Sequence, residues 1–330
     1  MLDGVLNATA ANGPGCEAIR TTFDTTYTWN YGGDRHELRN LYEKAKRDQW
    51  NGTDQLAWTT PVDPEREIVP DMQVPIYGTH IWNRLTAGEV KKLRREALSW
   101  SLSQFMHGEQ GALLATAQIV DATPSFDAKL YGASQVMDEA RHVEVFNRYL
   151  AEKMTRQYPI NCHLRALLDQ LLTDGRWDMK YLGMQIMVEG LAMAAFGYMH
   201  QSCSEPLLRE LLHYVMRDEA RHVAFGVLAL EGFYRDMSES DRRDREDFLY
   251  EGCRLMRDRL LMEDVWEEMG WPKDEVREIV LASEQMREFR KMLFAKIVPN
   301  VKRLGLLTPR VRERFQELDI LKFEHMEASI

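Results

Sequence analysis

The strongest constraint in this chain is a set of carboxylates and histidines that recurs at a fixed offset. The pentad DEARH occurs at 138–142, inside VMDEARHVEVF, and again at 218–222, inside VMRDEARHVAFG. Glu139 and His142 match Glu219 and His222 at an offset of 80 residues, and the same offset pairs Glu109, in FMHGEQGALLATA, with Glu189, in IMVEGLAMAAF. Each upstream glutamate stands 30 residues before the Glu of its pentad, in a run of small and apolar residues. A charge buried alone in such a run is costly, so it needs a partner.

The surrounding pattern predicts long helices over roughly 86–120, 126–156, 177–201, 205–237 and 240–265, broken at Pro124, between Pro159 and Gly175, and at Pro206. A shorter helical piece is read at 163–172, a sixth long helix from Pro272 to about 297, stopped by Pro299, and a short one near 309–320. No alternating apolar/polar stretch interrupts 85–300, so the fold class is all-α. The midpoint of 109 and 139 is Pro124, and the midpoint of 189 and 219 is Ser204; both lie in predicted turns. In an antiparallel hairpin, residues equidistant from the turn share a height. Glu109 then lies level with Glu139, and Glu189 with Glu219. Within each pentad Glu and His are i, i+3, on one helix face. Two such hairpins supply four carboxylates and two imidazoles, the donor set of a dinuclear metal site in a ferritin-like four-helix bundle. Mixed oxygen and nitrogen donors suit iron, with manganese the alternative, better than zinc or copper. The four carboxylates match the charge of two divalent ions.

The remaining pentad letters suggest support. A ligating His usually donates its second N–H to a carboxylate or carbonyl. The simplest arrangement is crossed: Asp138 orients His222, Asp218 orients His142, and Arg141 and Arg221 pair with the aspartates. The competing reading turns both arginines outward to solvent. One Glu-x-x-His on a helix occurs often by chance; six coincident positions do not. His107, His200 and His213 fall off the predicted ligand face or at a helix end and are read as non-ligands.

Residues 1–85 read as an N-terminal arm and helix packed on the bundle, 86–238 as the metal-binding core, and 239–330 as additional helices of the same domain. Within the arm, 34–50 is helical with a polar face, and Pro61, Pro64, Pro70 and Pro75 rule out a long helix after it. A net charge of −10 argues against a nucleic-acid-binding face. No uninterrupted apolar run of about 18 residues is seen, so no membrane span is expected. The N-terminus lacks the pattern of a secretory signal. Cys16, Cys162, Cys203 and Cys253 lack CxxC spacing and read as free thiols of a cytoplasmic protein.

Glu109 with DEARH 138–142, and Glu189 with DEARH 218–222, resemble the paired E-x28-D-E-x-R-H motifs of the ferritin-like diiron-carboxylate oxidases and oxygenases. That superfamily includes the ribonucleotide reductase small subunit, soluble acyl carrier protein desaturases, multicomponent monooxygenase hydroxylases and arylamine N-oxygenases. The resemblance covers about 100–230. Three positions depart from particular branches. Phe146 stands where the radical-storing reductase subunit has its Tyr, and Met193 where the multicomponent hydroxylases have a Thr. Val215 stands where arylamine N-oxygenases of this length have a seventh ligand, a His, so six ligands are expected here.

The resemblance implies O2 as co-substrate, two iron ions, and oxidation of a small organic molecule by hydroxylation, N-oxygenation or desaturation. Electrons would come from a separate reductase or ferredoxin, and a homodimer follows by analogy. Met193, Phe196, Leu113 and Phe146 are the expected substrate-pocket residues, one or two turns from the ligands. Two other functions compete. A desaturase or hydroxylase for carrier-bound acyl chains would need a basic docking patch, for which KKLRRE (91–96) and RKMLFAKIVPNVKR (290–303) are candidates. The other is a metal-binding ferritin-like protein without enzymatic activity.

Overall fold

The computed structural model describes residues 18–33, 35–154 and 156–328. Cys16 and the first half of the predicted irregular arm lie outside the described residues. The described residues contain helices, 3-10 turns and irregular segments, and no strand. The helices are α1 (His36–Arg47), α2 (Gly52–Gln55), α3 (Ala87–Ala122), α4 (Phe126–Lys153), α5 (Cys162–Thr173), α6 (Trp177–Ser202), α7 (Pro206–Leu230), α8 (Glu239–Asp258), α9 (Glu263–Glu268), α10 (Lys273–Ala282), α11 (Glu284–Met292), α12 (Ile297–Arg303) and α13 (Pro309–Glu317). The four-helix core is two hairpins, α3 with α4 and α6 with α7, joined through α5, with α4 packed on α7 across the bundle.

Local chemistry sets the hairpin boundaries. Thr86 and Glu89 form a reciprocal capping box at the start of α3. Ser125 caps α4, accepting from the Ala128 N–H directly after Pro124. Pro206 opens α7 in the first turn, where its missing N–H costs nothing, and the Glu205 carboxylate takes the Leu207 and Leu208 N–H groups at 2.8 and 2.7 Å. The two turns therefore sit where Pro124 and Ser204 place them.

The arm after α2 crosses the α6–α7 turn as a strap. The Ser204 N–H donates to the Ile68 carbonyl at 2.8 Å, and Gln73 donates to the Ser202 hydroxyl at 2.6 Å. The C-terminal part is more broken than its sequence pattern predicts. The helix expected over 240–265 ends at Asp258 and resumes at Glu263, after Met262 in the left-handed region. The helix expected from Pro272 to 297 is interrupted at Ser283, whose hydroxyl caps α11. Pro299 does not stop a helix; it lies in the first turn of α12, where proline is tolerated.

Helix α6 corrects one further expectation. It spans 26 residues, and its most apolar 18-residue stretch has a mean hydropathy of 1.3, enough by length and composition alone for a membrane span. It is nonetheless mostly buried inside the bundle, as an all-round apolar core helix is. It is also not a uniform α-helix: Tyr181–Val188 is wound as a π-helix, and the Glu189 N–H reaches back to the Met184 carbonyl. Such segments are rare and concentrate at functional sites. Here α6 and α7 touch almost backbone to backbone, because a Cβ on Gly226 would lie 2.4 Å from the Gln185 Cβ. Gly226→Ala should therefore lower stability by about 1–3 kcal/mol, measured as a shift in the denaturant midpoint with an unchanged slope.

Candidate metal centre

Glu109 on α3, Glu139 and His142 on α4, Glu189 on α6, and Glu219 and His222 on α7 are all brought to one level of the bundle and buried. Glu139 spans the two imidazoles, with Oε2 3.5 Å from His142 Nδ1 and Oε1 3.1 Å from His222 Nδ1. Glu219 does the same, with Oε1 3.2 Å from His142 Nδ1 and Oε2 3.2 Å from His222 Nδ1. Glu109 Oε2 lies 3.2 Å from His142 Nδ1 on one side. Two overlapping donor groups result: Glu109, Glu139, His142 and Glu219; and Glu139, Glu189 and His222. The geometry is that of two adjacent ion sites sharing a carboxylate.

The polar accounting also fits a cation pair. Glu139 Oε2 and Glu219 Oε1 are fully buried and accept no hydrogen bond, although buried carboxylate oxygens are normally satisfied. Gln135 donates to Glu139 Oε1 at 2.8 Å and to Glu189 Oε1 at 3.4 Å, tying the two donor groups together from one side. Oxygen donors with two imidazoles suit first-row divalent ions.

Without metal, the groups must compensate one another. Burial pushes the Glu109 carboxyl well up, and the Glu219 carboxylate adds to it. Glu189 is raised for the same two reasons. Burial disfavours the imidazolium of His142, but Asp218 and Glu109 outweigh it and raise His142 well above its usual value. His222 is raised likewise, against burial, by Glu139 and Glu219. Burial would raise Glu139, but His222 and His142 hold it well below the carboxylate range. The sign follows from linkage. A raised carboxyl favours the folded state below its unfolded value of 4.5, a raised imidazole below 6.5, and both contributions are lost as pH rises through the folded values. The stabilisation from the lowered Glu139 is complete above 4.5 and does not offset this. Metal-free protein should lose thermal stability as pH rises from about 5 to about 8. A melting temperature that climbs steadily over that window would contradict the assignment of these charges.

Behind the cluster lies a crossed aspartate–arginine box. His142 Nε2 meets Asp218 Oδ2 at 3.1 Å, and His222 Nε2 meets Asp138 Oδ2 at 3.4 Å. An Nε2–H held by an aspartate leaves the Nδ1 lone pair aimed at the glutamates. Arg141 donates to Asp138 and to Asp218, and Arg221 to the same two. Both guanidiniums are buried, so the outward-facing alternative is wrong.

The sequence reading missed what closes this box. The triplet Asp48-Gln49-Trp50, just after α1, touches it with every side chain. Trp50 Nε1 donates to Asp218 Oδ2 at 2.7 Å, and the Arg141 guanidinium lies over the indole at 4.8 Å. Gln49 donates to Asp138 and accepts from Arg141, and Asp48 lies 3.7 Å from Arg221. Trp50→Phe removes a charge-assisted hydrogen bond while keeping an aromatic ring. It should cost about 1.5–3 kcal/mol, read by chemical denaturation.

Two cavities approach the cluster. A small inner chamber is lined by Phe105, Glu109, Ala112, Glu189, Ala192 and Phe196, among others. An outer cleft is formed between the arm, α3, α6 and α11. Phe105 and Arg259 belong to both. Of the four expected pocket residues, Phe196 lines the inner chamber, and Phe146 is stacked behind it at 5.8 Å between ring centroids. Leu113 and Met193 line neither cavity. Both are i+4 from a glutamate, about +40° round the helix, whereas Ala112 and Ala192 at i+3 lie about −60° round. The chamber lies on that second side of both helices.

The other expectations resolve simply. His107 Nε2 pairs with the Tyr158 carbonyl at 2.9 Å, and His200 and His213 neighbour each other, outside both donor groups. Val215 is fully buried in an apolar cluster. Lys91, Lys92, Arg94 and Arg95 of KKLRRE each form an ion pair with an acidic side chain, so that stretch is not a free basic face. Cys162, Cys203 and Cys253 are free thiols.

A helical bundle with two imidazole–carboxylate groups sharing a glutamate is the arrangement of the ferritin-like metal-carboxylate proteins. The family model described as p-aminobenzoate N-oxygenase AurF matches residues 33–305. The chain therefore belongs to the AurF family. Among solved structures, an R2-like ligand-binding oxidase with aerobically reconstituted Mn/Fe cofactor is 20% identical, with 78% of this chain and 92% of that chain covered and a TM-score of 0.46. A mutant of that oxidase with anaerobically reconstituted Mn/Fe cofactor is 21% identical, covers 77% and 92%, and also has a TM-score of 0.46. No curated protein matches.

Proposed function

We propose that this protein is a dinuclear non-haem iron oxygenase that inserts oxygen into a small organic substrate, with N-oxygenation of an arylamine the best-supported reaction. Support comes from membership of the AurF family and from one observation above all: Glu139 and Glu219 each span both imidazoles beside a small chamber. In this reading Glu109, Glu139, His142 and Glu219 would hold one ion, and Glu139, Glu189 and His222 the other. Iron is the first choice of metal and manganese the second. With Val215 in place of a seventh donor, the set stays at six.

The bound metal pair would supply the electrons that activate O2. The chain's own groups hold and orient. Asp138 and Asp218 fix the imidazoles, Gln135 holds Glu139 and Glu189, and Phe105 and Phe196 exclude water from the chamber. In a monooxygenation one oxygen atom enters the substrate and the other leaves as water, which takes two electrons and two protons. A separate reductase or ferredoxin would deliver those electrons. A cytoplasmic location and a homodimer belong to the same proposal.

Two experiments test it. Reduced, iron-loaded protein should consume O2 in a single turnover and transfer one atom of labelled O2 to an arylamine such as p-aminobenzoate. Iron-loaded protein that consumes no O2 would sink the oxygenase reading and favour the non-enzymatic one. Asp138→Ala should weaken metal binding about 10–100-fold by freeing the His222 ring. Unchanged affinity, measured by competition with a chelator, would remove Asp138 from its role.

A further inference from the structure

We propose that the chain holds a second ligand site, separate from the metal centre, that takes a phosphate group between α8, α11 and the segment after α13. Its basic wall is Arg257 of α8 with Arg287, Arg290 and Lys291 of α11. Leu281, Phe294, Leu318 and Ile320 make much of the rest apolar. The pocket shares no lining residue with the outer cleft or the inner chamber.

Arg290 carries the argument. It is only 4% exposed, and its Nη1 is fully buried without a hydrogen-bond partner. An unpaired buried guanidinium is expensive. Its surroundings add to the cost: burial disfavours the Arg290 cation, the charges of Arg257 and Arg287 disfavour it further, and only Asp258 pulls the other way. That aspartate is already engaged, because Arg257 Nε and Nη2 donate to its two oxygens at 2.7 and 3.0 Å. Lys291 is paired with Glu288 and Asp319. Glu317, also in the wall, accepts from the Tyr250 hydroxyl at 3.2 Å and forms no ion pair with either arginine of α11. Among the described residues, Arg287 and Arg290 are thus left without a counter-charge.

The charge count selects the ligand. A phosphate dianion offsets two guanidiniums, whereas a monocarboxylate leaves one over. Phosphate oxygens also match the guanidinium fork in paired, charge-assisted hydrogen bonds. The apolar side of the pocket leaves room for an organic body on the phosphate. The basic stretch 290–303 is therefore not one exposed docking face: Arg290 and Lys291 line this pocket, and Arg303 pairs with Glu231 at 3.3 Å. Met286 and Phe289, on another side of α11, belong to the wall of the outer cleft. A phosphate held here joins α8, α11 and the C-terminal segment, and so braces that wall from behind.

The test is titration calorimetry of the metal-loaded protein with inorganic phosphate, and with acetate as the monoanion, at constant ionic strength. Wild-type protein should bind phosphate saturably and about tenfold or more tighter than acetate. Phosphate should also raise its melting temperature. Arg290→Met should weaken phosphate binding about tenfold or more. In phosphate-free buffer that variant should melt higher than wild type, because an unpaired buried cation has been removed. Arg287→Ala, an exposed substitution, should weaken binding about two- to fivefold, and it stands in for Arg290→Met if that variant does not fold. Phenyl phosphate separates the two sources of the group: tighter binding than phosphate marks a phosphomonoester, and equal or weaker binding marks free phosphate. No phosphate binding, no preference over acetate, or binding undiminished in either folded variant, as phosphate on the metal ions would give, overturns the proposal.

Discussion

The structure depends on one electrostatic problem: four carboxylates and two imidazoles share a buried level of a helical bundle, far from water. Neither hydrophobic burial nor helix propensity can stabilise that arrangement, since desolvating each charge works against it. Only compensation at short range can. The two hairpins supply it by symmetry, because each brings the same three donors to the same height. Glu139 and Glu219 then lie between both imidazoles. Fixed positions for six ionisable groups follow from two helix turns whose caps are correct.

Compensation extends outward in layers. The aspartates that hold the imidazoles are themselves held by Arg141 and Arg221, and both arginines are covered by the triplet following α1. The arm is therefore part of the site. Its later segment straps the α6–α7 turn and forms one wall of the outer cleft, so the same stretch of chain supports the cluster and shapes access to it. On the opposite side, close contact at Gly226 accompanies the π-wound segment that leads into Glu189.

The donors were legible in the sequence because they obey covalent spacing. An offset of 80 residues, an i, i+3 pair and a proline at the midpoint fix heights and faces without tertiary knowledge. What stayed hidden depends on contacts between elements. Asp48, Gln49 and Trp50 are distant in sequence from the box they close, and nothing in a short polar helix announces its target. The π winding of α6 lies against a close neighbour, Gly226, that the segment's own residues do not announce. The pocket wall was less legible: of the four expected residues only Phe196 lines the chamber, because the packing of α3 against α6 turns the i+3 positions Ala112 and Ala192 toward it. Broken helices after α8 escaped because Ser283 and Pro299 punctuate in ways that a continuous amphipathic pattern conceals.

The central claim is that these six side chains form one dinuclear site. Anomalous diffraction at the iron edge from iron-loaded crystals tests it most directly. The account predicts two peaks per chain, one beside His142 Nδ1 and Glu109, one beside His222 Nδ1 and Glu189, with Glu139 and Glu219 between them. A single peak, or iron bound away from these residues, would contradict it.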